Sequence, residues 1–341
     1  MNRKIRTVII GMGKMGAIRY QAMMRHGGFQ IAAICDTNLE HLQEYKEAKY
    51  QDWKECIDTC EPQAVVVCTF NMTIPDVVCY ALQRGIAVFS EKPPGRTLAD
   101  AVRMQKVQQE TGTVLKFGFN HRAHNSIIEA KALIDSKLLG DVVCIRGVYG
   151  KAGNSDFQNE WRNNPNLSGG GILLDQGIHM LDLMCYLTGS DMHVINGEVS
   201  NLVWKEMGTE DSAFAMMETD KGQQISLHSS AIQWRHKFDM DIICTNGYIA
   251  LNGLLTSTRS YGEESITYYR KDLGMKTGRL GKPKEHTMCF DEDASWDIEM
   301  GEFYDVMVNG KDLLNGRPEE AVRVMRIIQE IYEYKQGAET T

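Results

Sequence analysis

The sequence predicts an α/β protein of two domains: an N-terminal doubly wound parallel sheet, and a C-terminal α+β domain with an open, mostly antiparallel sheet. Three observations support this prediction. Apolar, strand-like runs alternate with helical segments over the first third of the chain. After residue 121 the pattern changes to alternating segments separated by hairpin turns. The length of 341 residues also exceeds what one core comfortably holds. We therefore expect domains at 1–121 and 122–341.

The strands and helices of the first domain can be placed in order along the chain. Apolar runs predict strands at 8–10, 31–35, 64–68, 86–90 and 114–119. Helices are expected after the first strand and at 39–49, 75–84 and 98–111. The run from Ala64 to Cys68 is continuously apolar, which is typical of a parallel strand buried on both faces. Pro75 in the first turn and Gly85 after the last turn are typical of helix ends.

The second domain combines helices with longer strands. Helices are expected at 127–136, 172–187, 297–309 and 319–334, and strands at 142–149, 212–219, 223–232 and 238–245. The turns 220–222 and 245–247 predict antiparallel hairpins. The stretch Leu273 to Lys284, rich in glycine and lysine, is expected to be a mobile loop. An open sheet leaves a face to cover, and we expect a second subunit there, in a homo-oligomer.

Composition and charge argue against several classes of function. The formal net charge of −8 disfavours a surface for nucleic acid or for anionic membranes. No apolar stretch has the length of a membrane span, and the N-terminus lacks the apolar region of a signal peptide. The nine cysteines are scattered, mostly inside apolar runs, so we interpret them as reduced thiols. A cytoplasmic protein is therefore expected.

A glycine-rich loop directly follows the first predicted strand. It has the spacing G-x-G-x-x-G and consists of Gly11, Met12, Gly13, Lys14, Met15 and Gly16. Between a strand and a helix, the first glycine permits a tight turn, the second lets the backbone approach a pyrophosphate, and the third lets helix pack on strand. The helix N-terminus would direct free N–H groups at the phosphates. The loop predicts a dinucleotide site in a Rossmann domain; a glycine turn in another βαβ unit is the alternative.

The second predicted strand ends on Asp36. A carboxylate at this position would accept hydrogen bonds from the two hydroxyls of the adenosine ribose. It would also repel the 2′-phosphate of NADP, and the following residues, Thr37 and Asn38, include no arginine to bind that phosphate. NAD is therefore the expected cofactor, and Thr37 is included among its expected contacts.

Glu91-Lys92-Pro93 lies at the carboxyl end of another predicted strand of the first domain. Ligands of doubly wound folds bind in the crevice outside those strand ends. Because proline stiffens the backbone, Lys92 would be held in place, and its ammonium could bind a substrate oxygen and stabilise charge that develops during hydride transfer. A surface lysine in a turn is the alternative explanation.

Three consecutive glycines, 169–171, precede a predicted helix that carries Asp175 and His179. Residues four apart lie on the same face of a helix. An imidazole could take a hydroxyl proton as hydride leaves the same carbon, and a carboxylate one turn away could orient it. A metal site is an alternative, although no third ligand is evident in the sequence. An ordinary helix N-terminus with an exposed histidine is another.

Two tryptophan–arginine pairs are further candidates for substrate contacts. Trp161-Arg162 precedes the glycines, and Trp234-Arg235-His236 follows a predicted strand of the second sheet. An indole can stack on a sugar ring, and a guanidinium can hold a carboxylate or phosphate. Simple packing is the alternative for both pairs.

Taken together, these motifs resemble the Gfo/Idh/MocA family, the group of glucose-fructose oxidoreductase and inositol dehydrogenase, over essentially the whole chain. The motifs that carry the resemblance are Gly11 to Gly16, Asp36, Thr69-Phe70-Asn71, Glu91-Lys92-Pro93, Gly118 to Arg122, Trp161-Arg162 and Gly169 to His179. The resemblance implies a Rossmann domain and a C-terminal domain whose sheet mediates dimers or tetramers. It also implies that Lys92, Asp175 and His179 form the catalytic set, with His179 the proton acceptor.

The resemblance further implies which residues line the dinucleotide. These are Thr69, Phe70, Asn71, Glu91 and Asn120, with Trp161 and Arg162 near its nicotinamide half or the substrate. The sequence departs from the family pattern at two places. Phe70 replaces the usual proline, and Met72-Thr73-Ile74 lacks a histidine often found there. Both departures could alter a loop or a cofactor contact.

The leading hypothesis is an NAD-dependent oxidoreductase that acts on a secondary alcohol of a sugar, a cyclic polyol or a nucleotide-linked sugar. A redox-neutral enzyme that uses tightly bound NAD, for example in glycoside cleavage, is the alternative among enzymes. A protein that senses dinucleotides without turnover is the third possibility, and it would not need Lys92, Asp175 and His179. Lys92, Arg162, Asp175, His179, Trp234, Arg235 and His236 are the candidate substrate contacts.

Overall fold

A computed structural model of the chain describes residues 4–271 and 284–338. The chain divides into two compact units. Unit 1 includes the residues up to 120 together with 164–169 and 294–326, and unit 2 includes 121–163, 170–293 and the residues from 327 onward. The compact units are thus built from interleaved stretches of chain, and the division into domains at residue 121 stays a prediction. The stretch predicted as a mobile loop, Leu273 to Lys284, lies outside the described residues except for Lys284.

Most of the described helices match predicted helices, whereas those at Trp53–Cys60 and Pro165–Ser168 were not predicted. The described helices are α1 (Lys14–His26), α2 (Trp53–Cys60), α3 (Ile74–Leu82), α4 (Leu98–Thr111), α5 (Asn125–Asp135), α6 (Pro165–Ser168), α7 (Ile178–Thr188), α8 (Ser295–Asn309) and α9 (Pro318–Ala338). Within the described part of the chain, no helix combines the length and the apolar character that crossing a bilayer requires.

Unit 1 contains a six-stranded parallel sheet, which confirms the doubly wound prediction. Its strands are β1 (Ile5–Ile10), β2 (Phe29–Cys35), β3 (Ala48–Tyr50), β4 (Ala64–Val67), β5 (Ala87–Glu91) and β6 (Leu115–Gly118), in the spatial order β3-β2-β1-β4-β5-β6. The order reverses between β1 and β4, so the crevice at the carboxyl ends of these two strands is where such sheets bind ligands.

The helix predicted at 39–49 is wrong. A short 3-10 helix, Leu39–Leu42, and the edge strand β3 occupy this stretch. Leu42 is the one side chain of 39–49 that is buried, so a helix here would have no apolar face to pack. The backbone of β3 instead pairs in parallel with β2 and extends the sheet.

Unit 2 is built on an eight-stranded sheet, β14-β13-β12-β11-β7-β10-β9-β8. Its strands are β7 (Val142–Gly150), β8 (Met192–Ser200), β9 (Ser212–Thr219), β10 (Gln224–Ser230), β11 (Lys237–Cys244), β12 (Gly247–Asn252), β13 (Glu264–Arg270) and β14 (His286–Phe290). The pair β7–β10 is parallel, whereas the other neighbours are antiparallel. The mostly antiparallel sheet and both predicted hairpins, β9–β10 and β11–β12, are therefore confirmed.

The two faces of this sheet differ. On one face α7 packs so closely that a Cβ at Gly147 would lie 2.6 Å from Met184 and 2.8 Å from Met180. On the other face Phe214 and Met216 are about half exposed, and Ile243 is also exposed. The sheet thus positions α7 by tight packing on one side and leaves apolar side chains uncovered on the other.

Candidate active site

The glycine loop of unit 1 connects β1 to α1, and each of its glycines meets a different environment. A Cβ at Gly11 would lie 2.5 Å from the Cys68 carbonyl oxygen, and one at Gly16 would lie 2.0 Å from the Gly11 carbonyl oxygen. At Gly13, by contrast, no atom lies within 4 Å of a Cβ position. No side chain caps the N-terminus of α1. The first and third glycines therefore serve packing, whereas the second faces open space beside uncapped backbone N–H groups, which is what a bound pyrophosphate requires.

Asp36, directly after β2, is joined to the glycine loop. Its Oδ2 accepts a hydrogen bond from the Met12 backbone N–H at 2.7 Å, and its Oδ1 accepts one from the Asn38 N–H at 2.8 Å. The His41 Nδ1 lies 3.2 Å from the same Oδ2. The carboxylate thus occupies the predicted place at the end of the second strand. His41 is a neighbour that no local sequence pattern indicates, because it lies in the short 3-10 helix Leu39–Leu42 rather than in the predicted longer helix.

Two of the predicted dinucleotide contacts after β4 and β6, Asn71 and Asn120, are buried. The Asn71 amide donates a hydrogen bond to the Ser168 carbonyl at 2.8 Å, and the Asn120 amide lies 3.3 Å from the Ser295 hydroxyl. Phe70, which replaces the family's usual proline, is exposed. These residues stand at the carboxyl edge of the sheet, as predicted, and their contacts with a dinucleotide stay predictions.

Glu91 ends β5 and is fixed by a buried ion-pair network. The Arg19 guanidinium binds the Glu91 carboxylate through Nε at 2.6 Å and the Glu299 carboxylate through Nη2 at 2.6 Å. Burial opposes a charged guanidinium, but the two carboxylates outweigh it and raise the pKa of Arg19. Lys92 follows directly, and its bond to Pro93 is a cis peptide. The network therefore anchors the backbone from which Lys92 extends.

The helix predicted to carry Asp175 and His179 begins as a π-helical turn. Leu173–Gly177 is π-helical, and α7 continues from Ile178. Such turns are rare and occur often at functional sites. The buried Glu210 carboxylate accepts hydrogen bonds from the Gly171 and Leu173 N–H groups, each at 2.9 Å. Side-chain anchoring of the backbone thus determines where this turn begins.

Asp175 is held between two cations of unit 2. The Lys151 ammonium lies 2.5 Å from Oδ2, and the Arg162 Nε lies 3.3 Å from Oδ1. The Gln176 amide also donates to Oδ2, at 2.9 Å. This arrangement favours the ionised carboxylate. It brings together the predicted residues Asp175 and Arg162, and it adds Lys151, which the sequence analysis missed.

His179, in the first turn of α7, is buried against a second histidine. The rings of His179 and His121 are stacked, with centroids 3.7 Å apart and planes 13° apart. The His121 Nε2 lies 2.8 Å from the Tyr149 hydroxyl. His121 belongs to a motif that the sequence analysis used for the family resemblance, but its contact with His179 spans 58 positions of sequence, and no local pattern reveals it.

Two other predicted substrate contacts of unit 2, His236 and Trp234, each pack against another aromatic ring. His236 packs edge-on against Tyr261 at 4.8 Å, and the Tyr261 ring lies 5.5 Å from that of Tyr149. Trp234 is 66% exposed and has a left-handed backbone, φ 55°, which is uncommon for an aromatic residue. Its ring lies 5.9 Å from the Trp204 ring.

The first predicted tryptophan–arginine pair is also in unit 2. The Arg162 guanidinium lies 4.5 Å from the centre of the Trp161 ring.

The candidate site residues are divided between the two units. The glycine loop, Asp36 and Lys92 belong to unit 1, and Arg162, Asp175 and His179 belong to unit 2. In the described part of the chain, no three His, Cys, Asp or Glu side chains are grouped so that they could hold a metal ion.

Sequence models of one family match most of the chain. Residues 5–119 match an oxidoreductase family described as an NAD-binding Rossmann fold, and residues 127–250 match the C-terminal domain of the GFO/IDH/MocA group.

Individual relatives are more distant. The chain is 23% identical over 264 residues to scyllo-inositol 2-dehydrogenase (NAD(+)) of Bacillus subtilis, which covers 74% of this chain and 75% of that protein. It is 26% identical over 246 residues to D-glucoside 3-dehydrogenase of Escherichia coli, with 67% and 69% covered. Among solved structures, levoglucosan dehydrogenase in complex with NADH and levoglucosan has a TM-score of 0.84 at 19% identity over 98% of both chains. That likeness shows that the fold is shared.

Proposed function

This chain belongs to the Gfo/Idh/MocA oxidoreductase family, and from that premise we propose that it is an NAD-dependent dehydrogenase for a secondary alcohol of a sugar or cyclic polyol. The observation that carries the proposal is the cluster at the start of α7: a buried imidazole, His179, on the same turn-and-helix segment as Asp175, a carboxylate held by two cations. A protein that only sensed a dinucleotide would need the glycine loop but no such proton acceptor.

The residues of unit 1 fit NAD. The open space at Gly13 and the uncapped N-terminus of α1 suit the pyrophosphate, and Asp36 suits the adenosine ribose. When bound, NAD supplies a nicotinamide ring that accepts the hydrogen nucleus together with both electrons of the C–H bond at the alcohol carbon. Asp36 would repel the extra phosphate of NADP, so NAD should bind more tightly; the opposite order of the two dissociation constants would contradict this assignment.

His179 is the proposed proton acceptor. Oxidation of an alcohol to a ketone breaks the O–H bond and one C–H bond, and the proton of the O–H bond passes to the imidazole. Lys92 would bind the same oxygen through its ammonium and stabilise the negative charge that develops there. Asp175, held by Lys151 and Arg162, would orient the substrate or the imidazole without taking up the proton itself.

The substrate class follows from the relatives and from the aromatic residues of unit 2. The relatives named above act on an inositol and a glucoside. Trp161 and Trp234 could stack on a saccharide ring, and Arg235 and His236 could donate hydrogen bonds to its hydroxyls. We therefore propose a sugar, a cyclic polyol or a nucleotide-linked sugar as substrate.

We also propose that the exposed face of the unit 2 sheet assembles a homo-oligomer. The half-exposed Phe214 and Met216 lie on neighbouring alternate positions of β9, a pattern that favours burial against another copy. A cytoplasmic location is supported by the nine cysteines, which are all free thiols. Size-exclusion chromatography with light scattering tests the oligomer, since a monomer at micromolar concentration would contradict it.

The direct test of the function is a screen of inositols, sugars, glycosides and nucleotide sugars for NADH formation. Activity on a polyol or sugar, lost in His179→Asn, is the expected result. Bound NAD in the purified protein, together with cleavage of a glycoside without net NADH formation, would instead indicate the redox-neutral reaction. NAD binding without turnover of any member of the panel would contradict the proposed function.

A further inference from the structure

We propose that His121 is a positioning residue for His179, and that its stacked ring, tethered to Tyr149, holds the His179 imidazole in the orientation in which it accepts a proton. This inference rests on the proposed function, in which His179 is the proton acceptor. The ring planes of the two histidines are 13° apart, and both side chains are almost fully buried. Neither ring can rotate without displacing the other.

The tether of His121 is itself fixed. Tyr149 lies on β7, fully enclosed, and its hydroxyl is 2.8 Å from the His121 Nε2. The Tyr261 ring packs against the Tyr149 ring, with centroids 5.5 Å apart. Burial raises the pKa of both phenols, and Asp175 raises each further, so both stay protonated throughout the physiological range. The Tyr149 phenol therefore shares a hydrogen bond with His121, and neither phenol brings a negative charge to it.

Other ionisable groups near these two histidines contact partners of their own. They are Arg122 with Asp182, His124 with Glu264, and Asp175 with Lys151 and Arg162. The His124 ring packs edge-on against His121 at 5.6 Å, and Phe238 from β11 covers another side at 6.1 Å.

This arrangement has a chemical consequence for His179. Two imidazolium rings 3.7 Å apart would repel each other strongly, so the stacked pair takes up one proton readily and a second only with difficulty. While His121 stays neutral, its π face lies against the His179 ring, and a cationic ring stacks favourably on a neutral aromatic one. His121 thus orients His179 and stabilises the form that exists after proton transfer.

The test compares wild-type protein with His121→Phe, Tyr149→Phe and a control, His286→Phe. Phenylalanine at 121 preserves the stack but removes the tether and the second titrating ring; Tyr149→Phe removes the tether alone. His286 stacks on Tyr268 at 5.1 Å on the sheet edge, outside the proposed machinery, so the control makes the same exchange in a stacked ring elsewhere.

Two readouts are needed. Loss of orientation should lower kcat roughly ten- to a hundredfold in His121→Phe and less in Tyr149→Phe, with the NAD dissociation constant unchanged. By NMR, the His179 ring signal of the wild type should respond to two coupled protonations, whereas in His121→Phe it should follow one. The control should match the wild type in both readouts.

The results separate this inference from the function on which it rests. An unchanged kcat and an unchanged titration curve in His121→Phe would overturn the positioning role; if that variant fails to fold, Tyr149→Phe decides by its kcat. A wild-type protein inactive on every sugar and polyol would contradict the proposed function. The titration needs no substrate, so it would still determine whether the two histidines are coupled.

Discussion

The proposed dinucleotide site of unit 1 and the proposed catalytic cluster of unit 2 are built from different parts of the chain. In unit 1 the site is formed mainly by backbone atoms. They belong to two packed glycines, one open glycine and an uncapped helix N-terminus, all within a short stretch after β1. In unit 2 side chains from distant positions converge, as in the stack of His121 on His179 and the pairing of Lys151 with Asp175. The unit 1 site depends on open space beside Gly13, whereas the unit 2 site depends on side chains held in contact with one another.

This difference predicts how substitutions affect each site. A site made of backbone tolerates few changes of residue type, because any added atom fills the space that the ligand needs. A site made of converging side chains can lose one member and keep its shape, but it then loses the chemistry of that member. Substitutions in unit 1 should therefore act on binding, and substitutions in unit 2 on turnover.

The largest effect is expected from His179→Asn in unit 2. Asparagine cannot accept the hydroxyl proton, so kcat for alcohol oxidation should fall about a thousandfold. The dissociation constant of NAD, measured by protein fluorescence, should change less than about twofold, since the cofactor residues of unit 1 are untouched. A variant that keeps full kcat would remove His179 from the mechanism, and one that loses NAD binding would remove the distinction between the two sites.

A smaller effect on stability is expected from Glu264 of unit 2. Burial opposes its charge, but the contact with His124 and the hydrogen bonds from the Ser126 and Leu255 backbone N–H groups together outweigh burial and lower the pKa of Glu264 from 4.5 to about 2. Because the folded-state pKa is the lower one, the stabilisation is complete above pH 4.5 and is lost as the pH falls towards 2. The shift corresponds to about 3 kcal/mol.

Urea unfolding of Glu264→Gln at pH 6, 4 and 3 measures this contribution. The variant should be less stable than the wild type at pH 6 and should lose less stability between pH 6 and 3. Glu263→Gln, at the exposed neighbouring position, is the matched control and should follow the wild type. Parallel curves for Glu264→Gln and the wild type would show that the buried pair does not make unit 2 acid-sensitive.

In unit 1, the pair Gly13→Ala and Gly16→Ala separates the binding role of one glycine from the packing role of the other. A methyl group at Gly13 meets no protein atom within 4 Å, so the melting temperature should stay unchanged while the NAD dissociation constant rises about tenfold. At Gly16 the methyl group would overlap the Gly11 carbonyl, so the protein should lose stability. Normal NAD affinity in Gly13→Ala would show that the open space is not the pyrophosphate site.

The sequence predicted the local structure around the proposed dinucleotide site better than the contacts within the proposed catalytic cluster, for a physical reason. The glycine loop, α1 and Asp36 are close in sequence, and each has a local signature in glycine spacing, apolar runs and strand ends. The failure in this region, the helix expected at 39–49, came from a polar stretch whose edge strand is decided by pairing with β2 rather than by its own periodicity.

In unit 2 the sequence predicted Asp175 and His179 but not their partners. The hairpins and the open sheet were predictable from alternation and turn residues. Tyr149 on β7, Lys151 directly after β7 and His121 in the short 3-10 helix Asn120–Ala123 meet Asp175 and His179 through tertiary packing, which no spacing in the sequence encodes. The π-helical turn at Leu173–Gly177 was also unpredicted, because buried Glu210 anchors its start from 39 positions away.

The smallest effect, and the sharpest on substrate class, is expected at Trp234. Its exposed ring beside Trp204 offers a surface on which a second saccharide ring could stack. Trp234→Ala should raise KM about fivefold for a glycoside or nucleotide sugar and leave KM for an inositol or a free monosaccharide unchanged. Trp234→Phe should restore most of the affinity, and Leu314→Ala, which removes an equally exposed apolar side chain in unit 1, is the control. An equal rise in KM for small and large substrates would place Trp234 beside the reacting ring, and no change for either would assign it to packing on Trp204 alone.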